Sequence, residues 1–137
     1  MTWIGIDPGT VTGVAVWDGA RLTKLSAVPI HAALLYVLEM HMEGRRQTVV
    51  FEDARLRKWY GTSTAKQDRD RLMGAGSVRR DCAIWDEALT SWGIPFQTVA
   101  PKDNMTKLSA EAFRAITGWK GRTNEHMRDA AMLVYGR

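Results

Sequence analysis

An Asp-Gly pair between apolar runs is the strongest short-range hairpin signal a chain can carry. Here Asp18-Gly19 follows Gly13-Val14-Ala15-Val16-Trp17 and precedes an extended run from about Arg21 to Val28. Upstream, Trp3-Ile4-Gly5-Ile6 is a short apolar run that stops at Asp7-Pro8-Gly9, a turn composition. Three strands joined by two turns predict a β-meander at the start of the chain.

Pro29 then opens an amphipathic helix whose apolar positions Ile30, Leu34, Val37, Leu38 and Met42 keep 3.6-residue spacing, and Gly44 stops it. Thr48-Val49-Val50-Phe51 is mostly β-branched and reads as a buried central strand that delivers Glu52 and Asp53 at its C-terminal end. The stretch from Ala54 to Gly76 is polar, basic and rich in Gly, Ser and Thr, which predicts a long loop or partly mobile segment, of the kind that is usually functional or disordered. A helix is expected from about Ser77 to Trp92, and a strand over Phe96-Gln97-Thr98-Val99, closed by Pro101. Ser109 caps a short helix with Ala112, Phe113 and Ile116 inward, ending at Gly118. After a basic turn from Trp119 to Thr123, Asn124 caps a last helix from Glu125 to about Tyr135. The order β-β-β-α-β-α-β-α-α describes an α/β fold: a five-stranded mixed sheet, its first three strands an antiparallel meander, flanked by helices. At 137 residues the chain is expected to be one domain, 1–137.

Charge is concentrated. Between Asp53 and Arg80 eight basic residues face three acidic ones, and between Pro101 and Arg128 six face three, so the remainder of a chain with net charge +4 is acidic. Two basic segments on an acidic body suit a polyanion better than they suit general solubility. No apolar run is long enough to span a membrane and no basic-then-apolar leader opens the chain. The single cysteine, Cys82, leaves no internal disulfide, so a reducing cytoplasm is the expected compartment.

Acidic or imidazole groups fall at the ends of regular elements: Asp7 after the first strand, Glu52 after the fourth, His126 and Asp129 on the last helix. Positions 126 and 129 share a helical face. If that helix packs beside the first strand, all four groups converge on one cluster, and hard oxygen ligands of this kind suit Mg²⁺ or Mn²⁺. Other readings stay open. Asp7 also suits a Pro-Gly turn, Asp53 competes with Glu52 because alternation sends the two to opposite faces, and Glu125 competes with His126 because it lies one turn before Asp129.

Ile4-Gly5-Ile6-Asp7-Pro8-Gly9-Thr10-Val11-Thr12-Gly13 resembles the opening motif of RuvC-type Holliday-junction resolvases, of the ribonuclease H-like superfamily. Val49-Val50-Phe51-Glu52 resembles their second acidic motif, and Gly74-Ala75-Gly76-Ser77 the small-residue start of the helix that follows it. Pro101-Lys102 with Lys107 is similar to their proline-plus-lysine segment, and His126-Met127-Arg128-Asp129-Ala130-Ala131 to their C-terminal acidic helix. The matches run in order across nearly the whole chain. They imply an RNase H-like fold and a metal-dependent endonuclease of branched DNA, in a compact form such as phages carry. Two divalent ions about 3.5–4 Å apart would be held by Asp7, Glu52, His126 and Asp129. Lys102 or Lys107 would stabilise charge on the phosphorane, and the products would be a 5′-phosphate and a 3′-hydroxyl.

Arg55, Arg57, Lys58, Lys66, Arg79 and Arg80 in the first basic segment, and Lys120 and Arg122 in the second, are the expected phosphate contacts, with Trp59 and Tyr60 either stacking on exposed bases or packing inward. The segment after Glu52 lacks a close match to the family's junction-opening aromatic, so three-way and flap structures join four-way junctions as expected substrates. Symmetric nicking favours a homodimer. Val78, Cys82, Trp85, Leu89 and Trp92 offer a seam for it, unless that stripe faces the chain's own sheet. An actin-like ATPase would need two domains, whereas an RNA-processing nuclease of the same fold and a non-catalytic junction-binding module are the nearer alternatives.

Overall fold

A computed structural model of the protein describes residues 1–57 and 65–137, with side chains described throughout except at 65–68 and 70–72. Among the described residues five strands form one sheet in the order β3-β2-β1-β4-β5, where β1 is Thr2–Asp7, β2 Val11–Trp17, β3 Leu22–Pro29, β4 Gln47–Glu52 and β5 Phe96–Val99. β1, β2 and β3 run antiparallel, as the two turn signals require, while β4 lies parallel to β1 and β5 parallel to β4. Parallel neighbours need crossovers, which helices α1 (Ile30–Met42) and α2 (Ala65–Trp92) supply. Helices α3 (Ala110–Thr117) and α4 (Glu125–Val134) follow β5. None of these helices is long and apolar enough to cross a membrane.

Strand alternation sorts the side chains into two cores. Ile4, Ile6, Val14, Val16, Val49 and Phe51 pack with Ala33, Val37 and Met40 of α1 and with Cys82, Trp85 and Leu89 of α2. On the other face Ala15, Trp17 and Val50 pack with Phe113 of α3 and with Ala130, Ala131, Leu133 and Val134 of α4. Burying each of the larger aliphatic side chains contributes roughly 1.5–3 kcal/mol.

The second face is built for close approach. A Cβ at Gly5 would overlap the Ala130 carbonyl oxygen, and one at Gly13 would overlap the His126 carbonyl oxygen. Only glycine at these two strand positions lets α4 lie directly on β1 and β2. Asp7 lies two residues beyond Gly5, and Glu52 two beyond Val50, so both belong to the face that α4 covers. Asp53 follows Phe51 to the opposite face.

Four expectations are corrected here. The stretch read as a loop from Ala54 to Gly76 is helical from Ala65, so α2 begins twelve residues before Ser77. Of the described side chains in its N-terminal half, Arg69, Met73, Gly74 and Gly76 are exposed, and Gly74 and Gly76 sit inside the helix with nothing near the place of a Cβ. On α1, Met42 is 77% exposed and the buried stripe is Ala33, Val37 and Met40. On α3, Ile116 is exposed and Phe113 alone is buried. Finally, Cys82, Trp85 and Leu89 are fully buried, with Val78 and Trp92 packed beside them. That stripe faces the chain's own sheet and is not a surface for a second copy.

Candidate active site

Asp7, Glu52, His126 and Asp129 line one cleft of about 1400 Å³, together with Lys102, Lys107 and Glu125. β1 ends in Asp7, β4 ends in Glu52, and the first turn of α4, capped by the Asn124 side chain on the Met127 amide, presents His126. α2 contributes Gly74, Ala75 and Val78, and the 3₁₀ turn Ala54–Leu56 contributes Ala54 and Leu56, an apolar stretch of lining beside the acidic groups.

Asp7, Glu52 and Asp129 each have a protein partner. Asp7 Oδ2 lies 3.1 Å from His126 Nδ1. Glu52 Oε2 accepts from Asn104 Nδ2 at 3.0 Å, and the same nitrogen donates to the Asp129 carbonyl oxygen at 3.1 Å. Asp129 Oδ1 accepts from the Lys107 backbone N–H at 2.9 Å. Lys107 has φ of 58°, a left-handed conformation that costs a non-glycine residue about 1 kcal/mol or more. It aims the amide at Asp129 while the residue lines the cleft.

These carboxylates resist ionisation. Burial raises Asp7 from 3.8 to about 7, with the charges of Asp129 and Glu52 adding to the rise and the His126 contact opposing it. Burial likewise raises Glu52, against the Asn104 hydrogen bond, and raises Asp129, against the Lys107 amide. Three partly or fully buried acids that disfavour one another's charge, all with hard oxygen donors, are chemically matched to a divalent cation. As the side chains lie, no three His, Cys, Asp or Glu groups among the described residues close on a single ion. Holding one requires these side chains to draw closer together than they lie here. The donor set fits Mg²⁺ or Mn²⁺ on that condition.

Of the competing acids, Asp53 is excluded from the cleft lining. It is 3% exposed, caps the 3₁₀ turn through the Arg55 amide, and takes a bidentate pair from the Arg55 guanidinium at 2.9 and 2.8 Å. Burial opposes its ionisation, but the bonds from Arg55 prevail and hold it below its usual range. Glu125 lines the cleft as well, while His126 is the one that reaches Asp7.

The expected phosphate contacts divide. Arg57 lines the cleft. Arg55 does not: besides Asp53 it holds Asp86 of α2 at 2.9 Å, so its guanidinium is a structural tie between the end of β4 and α2. Arg55→Met should therefore cost roughly 2–4 kcal/mol by stranding buried Asp53, read from urea unfolding. Arg79 and Arg80 are exposed on α2 outside the cleft, with Arg80 3.6 Å from Asp81. Lys120 and Arg122 are exposed on the turn before α4, where Arg122 lines a separate cavity of about 140 Å³ with Arg114 and Trp119. Lys58, Trp59 and Tyr60 lie outside the described residues, as does the Lys66 side chain. Asn104 was not singled out from sequence; an asparagine in a polar connection carries no pattern that marks it.

Sheet order, crossovers and flanking helices define a RuvC/RNase H-like fold. Among solved structures, T. thermophilus RuvC in complex with a Holliday junction substrate superposes with a TM-score of 0.58 at 20% identity, over 97% of this chain and 89% of that one. No protein-family model and no curated protein matches the sequence.

Proposed function

We propose that the protein is a divalent-cation-dependent endonuclease that cuts branched DNA in the manner of a junction resolvase. One observation carries this reading: acidic and imidazole groups from three distant stretches, Asp7, Glu52 and His126 with Asp129, line a single cleft that also presents Lys102 and Lys107. The likeness in fold to a RuvC bound to a Holliday junction supports it.

Asp7, Glu52 and Asp129, with His126, would hold two Mg²⁺ or Mn²⁺ ions. Such ions, when bound, lower the pKa of an attacking water and neutralise the leaving 3′-oxygen. The chain's own part is to gather negative charge where burial makes it costly, so that the cleft favours cations and the phosphate they accompany. Lys102 and Lys107 put positive charge beside the reacting phosphate, where it stabilises the phosphorane. The products are a 5′-phosphate and a 3′-hydroxyl. Paired nicks in a junction require two sites related by a two-fold axis, and the homodimer surface then lies outside the buried stripe of α2.

Purified protein with Mg²⁺, given four-way, three-way, flap and linear duplex DNA beside an RNA stem, tests the reading. Branched DNA should be cut in preference to linear duplex. Preferential cutting of the RNA stem would transfer the site to RNA processing, and no cutting of any substrate would leave only a binding module. Lys102→Ala and Lys107→Ala should each lower the slope of log affinity against log salt by about one contact's worth, ~0.9. Whichever also lowers kcat at saturating DNA is the catalytic lysine.

A further inference from the structure

The connection between β5 and α3 supplies the bonds that tie the two later acidic motifs together, and one side chain makes two of them. Asn104 Nδ2 donates at 3.0 Å to Glu52 Oε2, at the end of β4, and at 3.1 Å to the Asp129 carbonyl oxygen, on α4. Three residues later the Lys107 amide holds the Asp129 carboxylate itself at 2.9 Å. The rest of Asn104 is fixed by the chain around it: its amide donates to the Pro101 carbonyl at 3.3 Å and its carbonyl accepts from the Thr106 amide at 3.0 Å.

From this geometry we infer that Asn104 is a positioning residue for the cation site, setting the spacing between Glu52 and Asp129. The inference rests on the proposed cation-dependent reaction and adds a residue to it. The chemistry of the amide explains the choice. A primary amide carries two N–H donors and no net charge, so it can orient Glu52 and the first turns of α4 together without neutralising the site. A lysine in its place would cancel the charge that attracts a cation, and a carboxylate would add repulsion to a group already raised by burial and by Asp129. Asn104 grips one Glu52 oxygen, Oε2, and so orients the carboxylate; groups that orient metal ligands in this way usually change affinity by about 10–100-fold when removed.

The test measures Mn²⁺ binding without DNA, by the paramagnetic resonance of free Mn²⁺, on the wild type, Asp7→Asn, Asn104→Leu and Asn104→Ala, with thermal unfolding of each in chelator. Asn104→Leu keeps the volume and Asn104→Ala empties it, and both remove the donors. Weakening of Mn²⁺ affinity by about 10–100-fold in both Asn104 variants, with cooperative unfolding retained, supports the inference. Wild-type affinity in either folded Asn104 variant, while Asp7→Asn has lost binding, overturns it and leaves the nuclease reading standing. A wild type that takes up no Mn²⁺ overturns both.

Discussion

Asp7→Asn is expected to abolish strand cleavage, by roughly 10³-fold or more, while DNA binding survives and the cation-free protein becomes more stable at neutral pH. The two halves of this result have one cause. Asp7 is buried among acids, and its carboxyl is raised from 3.8 to about 7 first by burial and then by Asp129 and Glu52. A carboxyl whose folded value exceeds its unfolded value favours the fold when protonated. Its contribution is complete below about pH 4 and is lost as pH rises through about 7. Asparagine keeps the shape and removes the charge, so the variant should unfold at higher temperature than the wild type at pH 7 to 8 in chelator, by the equivalent of roughly 2–4 kcal/mol. At pH 4 the two should coincide. Thermal melts across that range, paired with cleavage and binding assays, separate a charge held for function from one held for stability. A variant that cuts at the wild-type rate removes Asp7 from the site.

The second large effect belongs to glycines. Gly5→Ala and Gly13→Ala should each destabilise the protein by about 3 kcal/mol or more and depress cation binding with it. The new methyl group meets backbone, not a flexible side-chain end: the Ala130 carbonyl at Gly5 and the His126 carbonyl at Gly13, where the added carbon would also lie 3.2 Å from the Ala130 Cβ. α4 must lift from the sheet to make room, and His126 and Asp129 lift with it. Gly76→Ala is the control. It lies within α2 with nothing near the added carbon, so it should stabilise by roughly 0.5–1 kcal/mol. Urea unfolding of the three variants reads the contrast. Equal and small effects at all three positions would mean that α4 is not seated on those glycines.

Where local chemistry decides structure, the sequence was readable. The Asp18-Gly19 hairpin, the caps Ser109 and Asn124 and the central strand ending at Glu52 all lie where their side chains direct them. α2 was harder, because the sequence from Ala65 to Gly76 has no apolar period to announce a helix, and its two glycines carry the ordinary sign of a loop. The choice between Glu52 and Asp53 was also out of reach. Alternation separates them, but which of them faces α4 depends on the face that helix covers, a tertiary fact set by Gly5 and Gly13. Arg55 counted as a cation for DNA only until its partner Asp86, thirty-one residues away, came into view. Asn104 and the left-handed Lys107 act through single hydrogen bonds across the fold, which no spacing in the chain records.

Diffraction from crystals grown with Mn²⁺, recorded where manganese scatters anomalously, tests the central assignment most directly. The account predicts anomalous density in the cleft, in contact with Asp7 and bounded by Glu52 and Asp129. Manganese found only elsewhere on a protein that cleaves DNA would contradict it.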